Sequence, residues 1–186
     1  MQRRKKQTII AAVIGTIGLA LILTAGWFFG KQYLTLNYEN GQYGFTLKYP
    51  VNWSFAENKN GAAAIFYSPR NNALDFFQEN VNVVVQDLSQ NPQTLNEYTT
   101  IAIDQMQAVF GINLEILDSS ATSIDGHIGH QFGFIGKGPN GDLQYLCRWT
   151  IVGTTAYQIT YTALASGYER HIKAAERIMG SFRILQ

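Results

Sequence analysis

The architecture of this chain follows from residues 143–163, LQYLCRWTIVGTTAYQITYTA. Apolar and polar side chains alternate through residues 143–152, and the alternation resumes in residues 156–163 after the pair Gly153-Thr154. This period of two is typical of β-strands, and strands joined by a short turn pair antiparallel. One face of the first strand is expected to carry Leu143, Tyr145, Cys147, Trp149 and Ile151. The stretch therefore predicts the central hairpin of an antiparallel sheet.

Further strands precede this hairpin. Alternation or short apolar runs predict strands over residues 45–49, 62–67, 80–86, 114–121 and 127–135. Pro50 ends the first of them, because proline cannot donate a ladder hydrogen bond. Asp125-Gly126 is a favoured hairpin turn pair between the last two. Trp53 and Phe55 are expected to close one end of the core.

Two amphipathic helices are predicted from apolar residues spaced three or four apart. The first has the stripe Leu95, Tyr98, Ala102, Met106 and Val109 and ends at Gly111. The second covers about residues 168–182. Thr94 with Glu97, and Ser166 with Glu169, have the spacing of a capping box, which satisfies free amides where a helix begins. The prediction is an α+β fold, a central antiparallel sheet flanked by helices in an α/β/α sandwich, preceded by one transmembrane helix.

The transmembrane prediction rests on residues 8–29, which contain no charged side chain. As a helix they would extend about 33 Å, close to the thickness of a bilayer's hydrocarbon core. Arg3, Arg4, Lys5 and Lys6 precede the run and Lys31 alone closely follows it, so the positive-inside rule places the N-terminus in the cytoplasm. The globular part is then on the extracytoplasmic side, whether periplasmic, extracellular or lumenal.

A cleaved secretory signal is the main alternative to an anchor. Its apolar region is usually about 7–15 residues long and ends in a small-x-small site. The run here is longer, so we favour an anchor. The predicted organisation is a basic cytoplasmic N-terminus at residues 1–7, a transmembrane anchor at 8–30, a tether at 31–40 and a globular domain at 41–186.

Net charge separates the two parts of the chain. The 186 residues carry 14 Lys and Arg against 13 Asp and Glu. Five of the basic residues precede Gln32, so the rest has nine basic and 13 acidic residues, or 9 − 13 = −4. A slightly acidic domain lacks the positive surface that nucleic acids require. Nucleic acid is therefore not an expected partner, whereas membrane lipid is expected to contact residues 8–30.

The best metal candidates are His127, His130 and Asp125, with calcium or manganese as the metals considered. Residues three apart on a regular strand point to opposite faces, so the two histidines are not expected to share one ion. The prediction is therefore no cofactor, with this cluster kept only as a weak alternative. Cys147 is expected to be a buried small hydrophobe. Without a catalytic set, no catalytic residue and no enzymatic activity are predicted.

Several short strings occur in a characteristic order. They are Tyr43-Gly44-Phe45 leading to Tyr49-Pro50 and Trp53, the strand of residues 80–85, the helix opening at residues 94–98, the strand with Tyr157, and the closing Ser181-Phe182. Taken in this order, they resemble the PsbP family of extrinsic photosystem II subunits. The resemblance covers nearly all of residues 38–185. It implies a central antiparallel sheet flanked by helices and a non-catalytic role in binding or stabilising a membrane protein complex.

The photosystem II role is expected only if the source is photosynthetic. The alternative is a small-ligand or metal-binding envelope protein. Aromatic residues also crowd the start of the domain, among them Tyr33, Tyr38, Tyr49 and Phe55. Those near the tether could rest on the membrane or on a partner, because aromatic side chains favour half-wet surfaces.

Overall fold

The computed structural model describes residues 34–70, 72, 75, 77–139 and 141–185. Its elements, in chain order, are β1 (Thr35–Asn40), β2 (Phe45–Pro50), β3 (Ser54–Lys59), β4 (Ala62–Tyr67), β5 (Asn80–Asp87), α1 (Leu95–Phe110), β6 (Leu114–Ile124), β7 (His127–Gly136), β8 (Leu143–Val152), β9 (Thr155–Leu164), α2 (Tyr168–Gly180) and β10 (Arg183–Ile184). Short 3₁₀ turns at Gly111–Asn113 and Ala165–Gly167 follow α1 and precede α2.

The predicted hairpin lies at the middle of the larger sheet. Seven strands run in the order β3-β4-β5-β9-β8-β7-β6, and each pairs antiparallel with its neighbour. In the hairpin Val152 lies opposite Thr155, and Trp149 lies opposite Gln158. The central antiparallel sheet is therefore confirmed.

The two faces of this sheet bury separate apolar clusters. On one face α1 packs over the β7 and β8 side chains, including Phe132, Phe134, Cys147 and Trp149. On the other face α2 packs over β5 and β9, where Val83, Ile159 and Tyr161 are fully buried. Alternation along β8 and β9 sends neighbouring side chains to opposite faces, so both faces need a cover. The helices supply it, which confirms the sandwich.

A second sheet, which the sequence did not predict, shares the α2 face. Its strand order is β1-β2-β10, with both β1 and β10 antiparallel to β2. Residues 35–40, predicted as tether, are thus β1, and Tyr38 of that strand is buried against Phe45 and Phe66. The strand forms because β2 offers it a partner, and sequence patterns alone do not reveal such long-range pairing. The folded domain begins before residue 41.

Other local predictions had mixed outcomes. Thr94 and Glu97 form the predicted capping box, and Gly111 caps the end of α1 with a φ of 54°. The Ser166–Glu169 box does not form, because the chain makes a 3₁₀ turn there and Gly167 becomes the N-cap of α2. No helix in the described ranges is long and apolar enough to cross a membrane. The predicted anchor at 8–30 lies outside the described residues.

Candidate binding groove beside the first helix

The predicted metal candidates are held by different neighbours. His127 begins β7 opposite Ile124, whereas His130 lies on the α1 face of the same regular strand and stacks on Trp149 at a centroid distance of 5.3 Å. The His130 Nε2 atom is 3.0 Å from the Ser119 Oγ atom. Asp125 accepts a hydrogen bond of 2.9 Å from the Ile184 backbone N–H. No group of three or more His, Cys, Asp or Glu side chains that could hold a metal occurs within the described ranges.

Cys147 is buried, with only 1% of its surface exposed. Burial raises the pKa of its thiol to about 12, although the Thr160 hydroxyl donates a hydrogen bond of 3.5 Å to the sulfur and acts in the opposite direction. A protonated, enclosed thiol is a poor nucleophile, because the thiolate is the reactive form. The predicted role of Cys147 as a small buried hydrophobe matches this placement.

Helix α1 is fixed to the sheet at both ends. Near its start the Trp149 indole N–H donates a hydrogen bond of 2.9 Å to the Thr99 hydroxyl. At its end the Phe110 ring packs on the rings of Phe134 and Tyr145, with centroids 5.7 and 6.0 Å away, and against the backbone of Gly136. Both anchors lie over β7 and β8. The adjoining part of the same sheet face, on β5 and β9, is left beside the helix rather than beneath it.

A groove of about 520 Å³ lies along this exposed side of α1. Its floor comes from β5 and β9, where Val84 lies opposite Gln158. One wall comes from α1, including the exposed residues Ile101 and Val109, which keep 42% and 76% of their surface accessible. Its polar lining is Gln86, Asn91, Gln93, Gln105 and Gln158. The groove therefore combines apolar helix side chains with uncharged amides.

None of the residues that line the groove is charged. The Gln93 Oε1 atom is buried, and no hydrogen-bond donor among the described residues reaches it. A buried carbonyl oxygen without a donor costs free energy, and this atom is enclosed and not accessible from the groove. The arrangement suits an uncharged, amphipathic ligand. Tyr98 carries the one ionisable side chain among the residues that line the groove.

A second polar cluster lies under α2, on the other face of the sheet. Glu79 keeps only 2% of its surface exposed, and its Oε2 atom accepts a hydrogen bond of 2.9 Å from the Ser68 hydroxyl. The same oxygen is 3.8 Å from the His171 Nε2 atom on α2. Burial lowers the pKa of His171, while the nearby Glu79 raises it by a smaller amount. This cluster joins the loop before β5 to the last helix.

Reasoning from the sequence did not find the groove. The available signal was the kind of polar residue on the two strands that form its floor. Asn80, Asn82 and Gln86 alternate with valines on β5, and Gln158 does the same among apolar residues on β9. All four of these side chains are uncharged amides. The helix position, which makes the face a groove, was not visible in the sequence.

Comparisons with known proteins agree on the fold. The PsbP family model matches residues 34–184. The cyanobacterial PsbP protein CyanoP from Synechocystis sp. PCC 6803 is 17% identical with a TM-score of 0.60, over 81% of this chain and 92% of that chain. LpqN of Mycobacterium tuberculosis, described as involved in cell envelope biogenesis, is 14% identical with a TM-score of 0.61, over 82% and 91%. No curated protein matches the sequence significantly.

A more distant match is the Ran-binding protein Mog1p of Saccharomyces cerevisiae. It is 9% identical with a TM-score of 0.56, over 82% of this chain and 96% of that chain. At these levels of identity the solved structures show a shared fold, and functions differ widely among proteins of one fold.

Proposed function

The chain belongs to the PsbP family, and from this premise we propose that it is a non-catalytic, membrane-anchored domain that binds or stabilises a membrane protein complex. The anchor is residues 8–30, and the domain faces the extracytoplasmic side. A role at photosystem II applies only if the source is photosynthetic. The observation that carries the binding role is the uncharged groove beside α1.

The composition of the groove favours a protein partner. Cores of protein–protein interfaces are depleted in charged residues, and aromatic residues and methionine are enriched there. The groove has this composition, with Tyr98, Met106 and Phe110 in its lining and no charged side chain. Its amide side chains can donate to and accept from the backbone of a partner segment. Ile101 and Val109 would lose their contact with water when that segment binds.

The N-terminal sequence and one protein of similar fold support the proposed placement outside the cytoplasm. LpqN is described as involved in cell envelope biogenesis. Residues 8–29 lack charge, and the basic residues precede them. An anchored domain meets membrane complexes in two dimensions, so a modest groove is sufficient because the anchor raises the effective concentration of the partner.

A charge placed on the rim of the groove tests the proposal. Val109→Asp should lower recovery of integral membrane proteins with the full-length chain by roughly tenfold, since burying an unpaired carboxylate costs more than 1.4 kcal/mol. Ile128→Asp is the matched control, because Ile128 keeps 77% of its surface exposed against 76% for Val109. Affinity purification from solubilised membranes of the source organism, quantified by mass spectrometry, gives the comparison. If the unsubstituted chain and both variants are each recovered without any partner protein, the binding role is refuted.

The size of the groove also suits a small ligand. Small-molecule sites typically enclose about 300–1,000 Å³, a range that includes this groove. Extraction of the purified protein should then release one molecule in stoichiometric amount, and Val109→Asp should lose it. The metal form of this alternative is tested by titrating calcium and manganese, with His130→Ala as control. If neither calcium nor manganese binds to the unsubstituted protein, the metal-binding alternative is refuted.

A further inference from the structure

Four exposed apolar side chains gather where the described chain begins. Leu34, Leu36, Val51 and Phe55 keep 59%, 45%, 36% and 46% of their surface exposed. The Val51 backbone N–H donates a hydrogen bond of 3.0 Å to the Leu34 carbonyl, so these two residues are adjacent. Leu36 lies opposite Tyr49 in the β1–β2 pair. We call these four residues the N-terminal patch.

Phe55 joins the patch from the larger sheet. Its ring contacts the Tyr49 and Tyr38 rings edge-on, at centroid distances of 5.7 and 5.2 Å. The sequence suggested that Phe55 closes the core, but β3 is an edge strand with β4 on one side only, so Phe55 packs on Phe66 and keeps 46% of its surface exposed. Tyr49, the cross-strand partner of Leu36, thus links Phe55 of the larger sheet to the patch residues of the smaller one. Contiguous exposed apolar surface of this kind marks a site of contact with another molecule or with a membrane.

The short connection to the predicted anchor restricts what can cover the patch. Four Cα–Cα steps join residue 30 to Leu34, and even fully extended they span at most about 14 Å. The headgroup layer on each side of a bilayer is roughly 5–8 Å thick, from the difference between total and hydrocarbon thickness. If residues 8–30 span the bilayer, Leu34 cannot lie far beyond that layer.

We infer that the N-terminal patch rests in the interfacial layer of the membrane, so that the domain lies against the lipid and does not hang from a free tether. This inference rests on the anchor in the proposed function. None of the four patch residues is charged, so their burial in the interface leaves no charge to desolvate. With only three residues, 31–33, between the anchor and the described chain, the patch stays within reach of the membrane surface.

Fluorescent labelling of the full-length chain in vesicles tests the inference. Leu36→Cys would be labelled with an environment-sensitive dye in vesicles of phosphatidylcholine and phosphatidylglycerol that carry a nitroxide quencher on the headgroup. Leu185→Cys is the matched control, because both leucines are about equally exposed, at 45% and 40%. The Leu185 backbone N–H donates a hydrogen bond to the Gly44 carbonyl oxygen. Gly44 directly precedes β2, roughly 17 Å along the strand from Tyr49, the partner of Leu36. Native Cys147 is buried and should not take the dye.

The expected result is that the nitroxide lipid quenches the dye at position 36 more strongly than at position 185 by about twofold or more, since interfacial elements bury their apolar face at headgroup depth. Val51→Cys should behave like Leu36→Cys, and it serves if the first variant does not fold. Equal quenching at positions 36, 51 and 185 overturns the inference.

Flotation of the same vesicles separates this inference from the proposed function. If the chain floats with the vesicles and the dyes show no difference, the anchor stands and the patch does not contact lipid. If the chain does not float, the anchor is absent and both proposals are refuted together.

Discussion

An alanine at position 136 would place a methyl group against the ring of Phe110. A Cβ atom built on Gly136 would lie 2.8 Å from the Phe110 Cδ1 and Cζ atoms, with Cε1 closer still. Carbon atoms attract each other best at about 3.5–4.0 Å, so the ring would have to retreat by more than about 0.7 Å. The Phe134 and Tyr145 rings, which pack on Phe110, oppose that movement. Gly136→Ala should therefore lift the end of α1 from the sheet.

The expected cost follows from the size of this overlap. Overpacking a well-packed core typically costs about 1–3 kcal/mol, and the lower entropy of alanine in the unfolded chain returns about 0.4–1 kcal/mol. A net loss of about 1–2 kcal/mol should lower the Tm by roughly 2–8 °C in a domain of this size. Urea and thermal unfolding of the full-length chain in a mild detergent, followed by near-ultraviolet circular dichroism, would measure both quantities.

Gly133→Ala in the same strand is the control. Its added Cβ would meet the Asp118 Cβ atom at 3.5 Å, an ordinary contact, so we expect between no change and a gain of about 1 kcal/mol. If both variants unfold at the same urea concentration as the unsubstituted protein, Phe110 does not pack on Gly136 as described. The reasoning that the end of α1 is fixed there would then be refuted.

Three further predictions follow from single side chains. Thr94→Ala should cost about 1 kcal/mol of unfolding free energy because the capping box of α1 is lost. Ser166→Ala, where no box forms, should leave urea unfolding unchanged. Equal losses of stability in the two variants would contradict the role of the Thr94 box. Burial raises the pKa of Cys147 to about 12, so a thiol reagent at neutral pH should react only after urea unfolding, and rapid reaction of the folded protein would disprove its burial. Burial also lowers the pKa of His171 and of His130 in the folded protein. As the pH falls from about 7.5 to 5.5, these histidines therefore take up protons in the unfolded chain before they do so in the folded protein. The unfolding free energy should decrease over that window. His171→Gln should lose part of that decrease, whereas an identical pH profile would show that His171 does not contribute.

The sites could be predicted from the sequence only in part. Alternation placed His127 and His130 on opposite faces of β7, and the regular pairing of that strand agrees. Asp125 was considered as a ligand because its chemistry suits metals, yet its carboxylate binds the backbone of Ile184, 59 residues later. Such a contact depends on where β10 docks. No local pattern around residue 125 contains that information.

The groove and the N-terminal patch depend on tertiary placement for the same reason. Gln158 alternates with apolar residues as any half-buried strand residue would, and it becomes part of a groove only because α1 packs over β7 and β8 instead. Phe55 is as apolar as Phe66, but Phe66 lies on a strand paired on both sides and is fully buried, whereas Phe55 lies on the edge. Burial is a property of position in the sheet.

What the sequence determined by itself was periodic or local: the strands from their alternation, the helices from their three- and four-residue spacing, the capping box at Thr94, and the family from an ordered set of strings. These features depend on neighbours within a few residues, where backbone geometry fixes the direction of each side chain. The pairing of β1 and β10 with β2, the position of α1 and the exposure of Phe55 were decided only by the tertiary structure. They depend on contacts between residues far apart in the chain, whose free energy is realised only when the whole sheet is assembled.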